Sequence, residues 1–194
     1  MDISMSIKNK LFIISGPSGA GEDSVIEGLK KFLSIERVVT TTTRKKRSDV
    51  FIEDPYYFIS KEEFKKGINN DIFFEYAKED NNQFYGVTKK EIERVIASDK
   101  IGIWKIEYKG VITIKKLMPE VVSILIAISS LEILKQRLFK RGENEEFIRR
   151  RINYAREWLK YENIYNYKVI NYENKLDETI DKVKEIIVKE YNNK

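Results

Sequence analysis

The stretch Leu11-Phe-Ile-Ile14-Ser-Gly16-Pro-Ser-Gly-Ala-Gly21-Glu22-Asp-Ser24 decides how the rest of the chain is read. Leu11 to Ile14 is a short apolar run that ends at a glycine-rich turn. Beyond the turn, Val25, Ile26, Leu29, Phe32 and Leu33 recur at helical spacing. The order is strand, loop, helix. A glycine-rich turn in that position presents backbone N–H groups and a helix N-terminus to an anion, which makes it a cradle for phosphate. Loops of this kind follow G-x-x-x-x-G-K-S/T, where the Lys neutralises the β and γ phosphates and the hydroxyl ligates Mg²⁺. Gly16, Pro17, Ser18, Gly19, Ala20 and Gly21 keep the scaffold. Glu22 stands in place of the Lys, Asp23 in place of the hydroxyl residue, and Ser24 follows. Any strand-to-helix turn also favours Gly followed by acids, because acids complement a helix N-terminus by about 0.3–1 kcal/mol. The loop alone does not choose between these readings.

Working outward, Ile101 to Ile106, Val121 to Ala127 and Tyr167 to Asn171 are further runs of buried-strand character, each followed by a helical pattern. Strands alternating with helices predict an α/β fold with a parallel core sheet and helices on both faces, a three-layer arrangement. Residues 36–88 differ: short, aromatic-rich segments surround one helix near Lys61 to Asn69, which predicts a mixed α/β insertion. Leu134 to Arg156 is dense in charge, with Gly142 breaking two helical patterns and Ser130 placed to cap the first. The expected division is a core of residues 1–35, 89–134 and 157–194, an insertion of 36–88, and a helical lid of 135–156.

The chain of 194 residues is long enough to bury one core and fits one domain. With 35% charged and 12% aromatic residues it reads as globular. Its net charge of +5 favours anionic partners, but the basic residues are interspersed with acidic ones. Nucleotides satisfy that bias, whereas a nucleic-acid role has no motif behind it. Cys and His are both absent. Disulfide and thiolate chemistry are therefore excluded, and catalysis must run on Lys, Arg, Asp, Glu, Tyr and backbone amides. No apolar run approaches the roughly 20 residues that span a bilayer, and no signal-peptide pattern opens the chain, so a cytoplasmic location is expected.

Val38-Val-Thr40-Thr-Thr-Thr-Arg44-Lys-Lys-Arg47, followed by Tyr56, resembles the nucleoside-monophosphate site of the guanylate kinase family, whose pattern is S-x-T-T-R-x-x-R and then a Tyr nine residues on. Two guanidinium forks, a hydroxyl and a phenol suit one dianionic phosphate. Further matches follow in order: Phe74-Glu75-Tyr-Ala77 resembles the family's F-x-E-x-A, Phe84-Tyr85-Gly86 its Y-Y-G, and Arg137-Leu-Phe-Lys-Arg141-Gly142, then Arg151, its lid pattern. The resemblance runs from Leu11 to about Ile187. It implies a P-loop kinase that transfers phosphate from ATP to GMP with Mg²⁺. Thr40, Arg44, Arg47, Tyr56, Glu75 and Tyr85 would bind GMP, with Glu75 reading the guanine N–H edge. Arg137, Arg141 and Arg151 would neutralise the transferring group.

The departures from the family pattern cluster. Val87 stands where the family has Ser or Thr, and G-E-x-x-G is missing from Ser48-Asp-Val-Phe-Ile-Glu53. The family's L-D-x-D-x-Q-G is here Trp104-Lys105-Ile-Glu107-Tyr-Lys-Gly110. Lys105 thus falls on the metal-serving acid and Glu107 on the acid that faces the acceptor, which the resemblance implies as a further GMP-binding residue. Lys to Glu at 22 and Asp to Lys at 105 read as two halves of one swap. Either Lys105 supplies the missing ammonium, with Glu22 and Asp23 offering oxygens to Mg²⁺, or Glu22 and Lys105 pair and close the loop. The expected function is a guanylate kinase-like phosphotransferase. The alternatives are an inactive module binding GMP or a phosphorylated partner, and a kinase for another nucleoside monophosphate. A monomer and a homodimer are both compatible with the sequence.

Overall fold

The structure is a computed structural model that describes residues 10–46, 56–78 and 82–193. In chain order, β1 (Leu11–Ser15) leads through the glycine loop into α1 (Glu22–Leu29) and β2 (Ile35–Arg37). Next come β3 (Thr40–Thr42), β4 (Tyr56–Phe58), α2 (Lys61–Asn69), β5 (Phe73–Lys78) and β6 (Phe84–Thr88). The chain then runs through α3 (Lys89–Ala97), β7 (Ile101–Lys105), α4 (Tyr108–Leu117) and β8 (Val122–Ala127). It ends with α5 (Leu131–Lys140), α6 (Glu145–Leu159), a short 3-10 turn, β9 (Tyr167–Ile170) and α7 (Leu176–Asn192).

Five strands form a sheet in the order β2-β7-β1-β8-β9, with every pairing parallel. The sequence reason is the unbroken apolar character of β1 and β8, which are buried along their whole length. Such strands need a cover on both faces. Alternation divides β1 accordingly. Phe12 and Ile14 join one cluster with Val25, Leu29, Val183 and Ile187 of α1 and α7. Leu11 and Ile13 join the other with Ile92, Val95, Val111 and Ile114 of α3 and α4. Each fully buried side chain of this size contributes roughly 1.5–3 kcal/mol. Gly28 lets α1 and α7 meet closely, since a Cβ there would lie 2.2 Å from Ile180 Cδ1. The three-layer α/β expectation is met.

The segment between β2 and α3 builds a separate four-stranded sheet, β4-β3-β6-β5, parallel between β3 and β4 and otherwise antiparallel. Helix α2 begins with a capping box made by Ser60 and Glu63 and packs Phe64 on Phe73 and Phe84. In the charged arm, Ser130 caps α5 by accepting from the Ile133 N–H, as its sequence position suggested. Gly142 separates α5 from α6 in a left-handed conformation, φ +80°. Helix α6 runs three residues past the charged stretch, to Leu159, and its second half buries Ala155 and Trp158 against the core. Parallel pairing sets Lys105 beside Ile14, so the ends of β1 and β7 lie at the same edge as the glycine loop.

Candidate active site

Gly19 and Gly21 hold left-handed backbone, φ +95° and φ +102°, which lets the loop turn tightly from β1 into α1. Gly21 is the N-cap of α1, and no side chain caps that helix end. A Cβ on Gly21 would also lie 2.5 Å from Asn171 Nδ2, so both conformation and space demand glycine there. Asn171, at the end of β9, is buried, donates to the Ala20 carbonyl at 2.7 Å and accepts from the Thr179 hydroxyl. It holds the loop from behind.

Glu22 and Asp23 diverge from consecutive positions. Glu22 turns inward, is 8% exposed, and accepts from the Gly21 N–H through Oε2 at 3.1 Å. Its Cγ approaches the face of Gly16. Burial pushes its carboxyl up to about 7, although the field of Lys105 pulls the other way. Asp23 turns outward and is bracketed by cations: Arg37 donates to Oδ1 at 2.7 Å and Lys105 to Oδ2 at 2.5 Å. Those cations outweigh desolvation and lower the Asp23 carboxyl. Lys105 stays charged for the same reason. Burial works against its ammonium, but the fields of Glu22, Asp23 and Tyr56 prevail and raise its pKa. The ion pair that Lys105 makes is therefore with Asp23, while Glu22 acts on it through space.

On the opposite side, Thr40 opens β3 in register with Tyr56 on β4. The Arg44 guanidinium stacks 5.3 Å from the Tyr56 ring and 5.6 Å from that of Phe58, and the Tyr56 and Tyr85 rings meet edge-on at 6.3 Å. Thr40, Arg44, Tyr56 and Tyr85 are thus gathered on one sheet. Arg47 lies outside the described residues. Glu75 on β5 is 8% exposed, and burial by itself pushes its carboxyl up to about 7. Val87, opposite Glu75 in the β5–β6 register, is fully buried in the core cluster under the sheet.

The arm contributes cations from above the loop. Arg137 donates to the Gly19 carbonyl at 3.3 Å and to the Asn171 carbonyl at 2.9 Å, and desolvation lowers its pKa. With Arg141, Gly19, Gly21, Ser24 and Asn171 it lines an open cleft of about 190 Å³ on the outer side of the loop. Arg151 on α6 lies over the Phe147 ring at 5.0 Å. Glu107, the residue before α4, does not cap that helix, and its Oε2 accepts from the Tyr154 hydroxyl at 2.5 Å.

Sequence reasoning missed Asn171, Arg37, Ser15, Tyr154 and Tyr165. Asn171 closes a strand run, where a polar residue at the loop edge is the available signal. Arg37 and Tyr165 carry none, because their partners lie 14 and 150 residues away.

A glycine loop between a parallel strand and a helix, with arginines of a helical arm beside it and a second, tyrosine-rich sheet flanked by Arg44, defines a P-loop phosphotransferase. The family model for guanylate kinase matches residues 8–190. The guanylate kinase of Caldanaerobacter subterraneus is 37% identical over 96% of this chain and 91% of its own length. That of Rickettsia felis is 37% identical over 96% of this chain and 97% of its own. The crystal structure of guanylate kinase from Anaplasma phagocytophilum superposes with a TM-score of 0.74 at 27% identity, covering 94% of this chain and 86% of that one. The chain belongs to the guanylate kinase family and is a nucleoside monophosphate kinase. No described helix is long and apolar enough to cross a membrane.

Proposed function

We propose that this chain transfers phosphate from ATP to GMP, giving ADP and GDP, with Lys105 supplying the ammonium that the loop lacks at position 22. The observation that carries the assignment of Lys105 is its location. Its ammonium pairs with Asp23 of the first turn of α1, at the end of β7 beside β1 and the glycine loop. A cation there stands at the mouth of the phosphate loop. The acceptor phosphate is already ionised and needs no general base, so positioning and charge neutralisation suffice. The absence of His is consistent with that.

The other residues take roles by place. The free amides of the glycine loop and of the first turn of α1 hold the donor phosphates, and Arg137 and Arg141 close the outer cleft over them. Arg151 approaches from α6. Thr40, Arg44, Arg47, Tyr56 and Tyr85 hold the acceptor phosphate, and Glu75, ionised, accepts from the guanine N–H edge. The sheet of β3 to β6 is the acceptor-binding insertion, and α5 with the first half of α6 is the lid.

A divalent ion fits this site only as cargo of the nucleotide. Among the described residues no three acidic or imidazole side chains converge on one point. Both Asp23 oxygens are engaged by Arg37 and Lys105, which leaves Glu22 as the carboxylate facing the nest. Mg²⁺ takes most of its ligands from phosphates and water, so one protein carboxylate is enough. When bound, the ion neutralises charge on the donor phosphates. Asp23 is better described as the partner of Lys105 than as a metal ligand.

Substitution Lys105→Met tests the assignment. ADP formation from ATP and GMP should fall at least a hundredfold, as loss of one charge-stabilising donor does elsewhere. Turnover within threefold of the parent protein would sink it.

A further inference from the structure

Helix α6 is fastened to the catalytic edge of the sheet at two points, and one of them lies a single turn from Arg151. Trp158 Nε1 donates to the Tyr165 hydroxyl at 3.0 Å. That hydroxyl lies 3.0 Å from Ser15 Oγ, which donates in turn to the Ile106 carbonyl at 2.6 Å. The second fastening is direct, from the Tyr154 hydroxyl to Glu107 at 2.5 Å. Glu107 follows Lys105 by two residues, and Tyr154 follows Arg151 by three, on the same face of α6.

We propose that Tyr154 is a positioning residue for phosphoryl transfer: through Glu107 it sets the distance between the helix that carries Arg151 and the strand end that carries Lys105. This rests on the reading of Arg151 and Lys105 as the cations of the transfer. The bond has a carboxylate acceptor, the stronger kind. Glu107 also forgoes capping α4 in order to make it. The ring of Tyr154 is held independently of its hydroxyl, 5.8 Å from Tyr108 and edge-on to Trp158 at 5.7 Å. Removing the hydroxyl therefore releases the tie and leaves the packing. The remaining end of α6, with Phe147 and the Asn144 cap, has no comparable fastening to β7 among the described residues, so Arg151 stands where the fixed half of the helix meets the lid half.

The test compares the parent protein with Tyr154→Phe, Glu107→Ala, Glu107→Gln and the double variant Tyr154→Phe/Glu107→Ala. ADP formation is measured under saturating ATP and GMP, and amide hydrogen exchange is followed along residues 145–159. Tyr154→Phe is expected to lower kcat about tenfold with KM for ATP within twofold, a loss of geometry rather than of binding. Glu107→Gln keeps an acceptor oxygen for the Tyr154 hydroxyl, and because Glu107 also faces the acceptor its KM for GMP is read separately from kcat; the double variant should be no slower in kcat than the slower single one. Exchange in α6 should quicken in Tyr154→Phe. An unchanged kcat in Tyr154→Phe, or losses that multiply in the double variant, overturns the proposal. If the parent protein forms no ADP, the reading of Lys105 and Arg151 fails, and exchange alone decides the tie: unchanged protection in Tyr154→Phe overturns it.

Discussion

Lys105 and Asp23, 82 residues apart, meet at 2.5 Å where the end of β7 passes the first turn of α1. The contact places a cation at the mouth of a phosphate loop whose own seventh position is acidic. Lys105 is oriented from the outer flank by Asp23, which shares its charge with Arg37, while Glu22 acts on it through space from the nest.

If positions 22 and 105 exchange the roles of cation and acid, reversing both should restore what reversing one destroys. Lys105→Asp alone is expected to lose at least a hundredfold in kcat. Glu22→Lys combined with Lys105→Asp should regain at least tenfold of that loss. Steady-state ADP formation reads both, and a double variant no faster than Lys105→Asp would contradict the exchange.

The acceptor site should bind GMP more tightly as pH rises through 7. In the proposed role Glu75 accepts from the guanine N–H edge only when ionised, and burial pushes its carboxyl up to about 7. Titration calorimetry between pH 6 and 8 should show affinity increasing severalfold, and Glu75→Gln should flatten the profile while weakening binding.

The same carboxyl has an opposite effect on stability. Its pKa in the folded protein is raised from 4.5 to about 7. Its contribution is therefore fully favourable below the unfolded value and is lost as pH rises through 7. At pH 8, Glu75→Gln should stabilise the nucleotide-free protein, by up to about 3 kcal/mol at 1.36 kcal/mol per unit. Denaturant melts at pH 8 and pH 5 measure it, and the gain should shrink toward zero at the lower pH.

Asn171→Ala strips the buried Ala20 carbonyl and Thr179 hydroxyl of a partner each. The Ala20 carbonyl keeps a contact with Arg137 and the Thr179 hydroxyl keeps the Lys175 carbonyl, so the loss is that of two net hydrogen bonds, about 0.5–1.5 kcal/mol each. A matching fall in unfolding free energy is expected, together with a raised KM for ATP, because the loop loses its backing. KM for GMP should stay within twofold, since among the described residues the hydrogen bonds of Asn171 go to the glycine loop, Thr179, Arg137 and β8 rather than to the second sheet.

Gly21→Ala puts a Cβ on left-handed backbone and against Asn171 Nδ2. The backbone strain alone is worth about 1–2 kcal/mol. The expected result is a lower Tm and a raised KM for ATP, and an unchanged Tm would show that the loop relaxes freely.

Much of this architecture is legible in the chain itself. The runs at Leu11 and Val121 are continuous and apolar, as strands covered on both faces are, those at Ile101 and Tyr167 are mostly apolar, and together they are four of the five strands of the core sheet. The fifth, Ile35–Arg37, escapes notice because three half-buried residues carry no period. Ser130 and Gly142 act within one turn of themselves, so their roles as cap and break are local and readable. The phosphate loop and the order of the acceptor and lid motifs are likewise carried by spacing along the chain.

What the sequence left open was which acid answers Lys105. The linear pattern pairs it with Glu22, the residue that replaces the loop lysine. Successive side chains on a helix point about 100° apart, and at the start of α1 that rotation turns Glu22 into the nest and Asp23 out toward β2 and β7. The choice depends on where two strands end relative to one helical turn. Tyr154 and Glu107 meet for the same kind of reason, across 47 residues. Strands, loop and motif order follow from local periodicity and were determined by the sequence alone; the partners of Lys105 and Glu107 follow from chain ends brought together by a parallel sheet, and only the tertiary structure decided them.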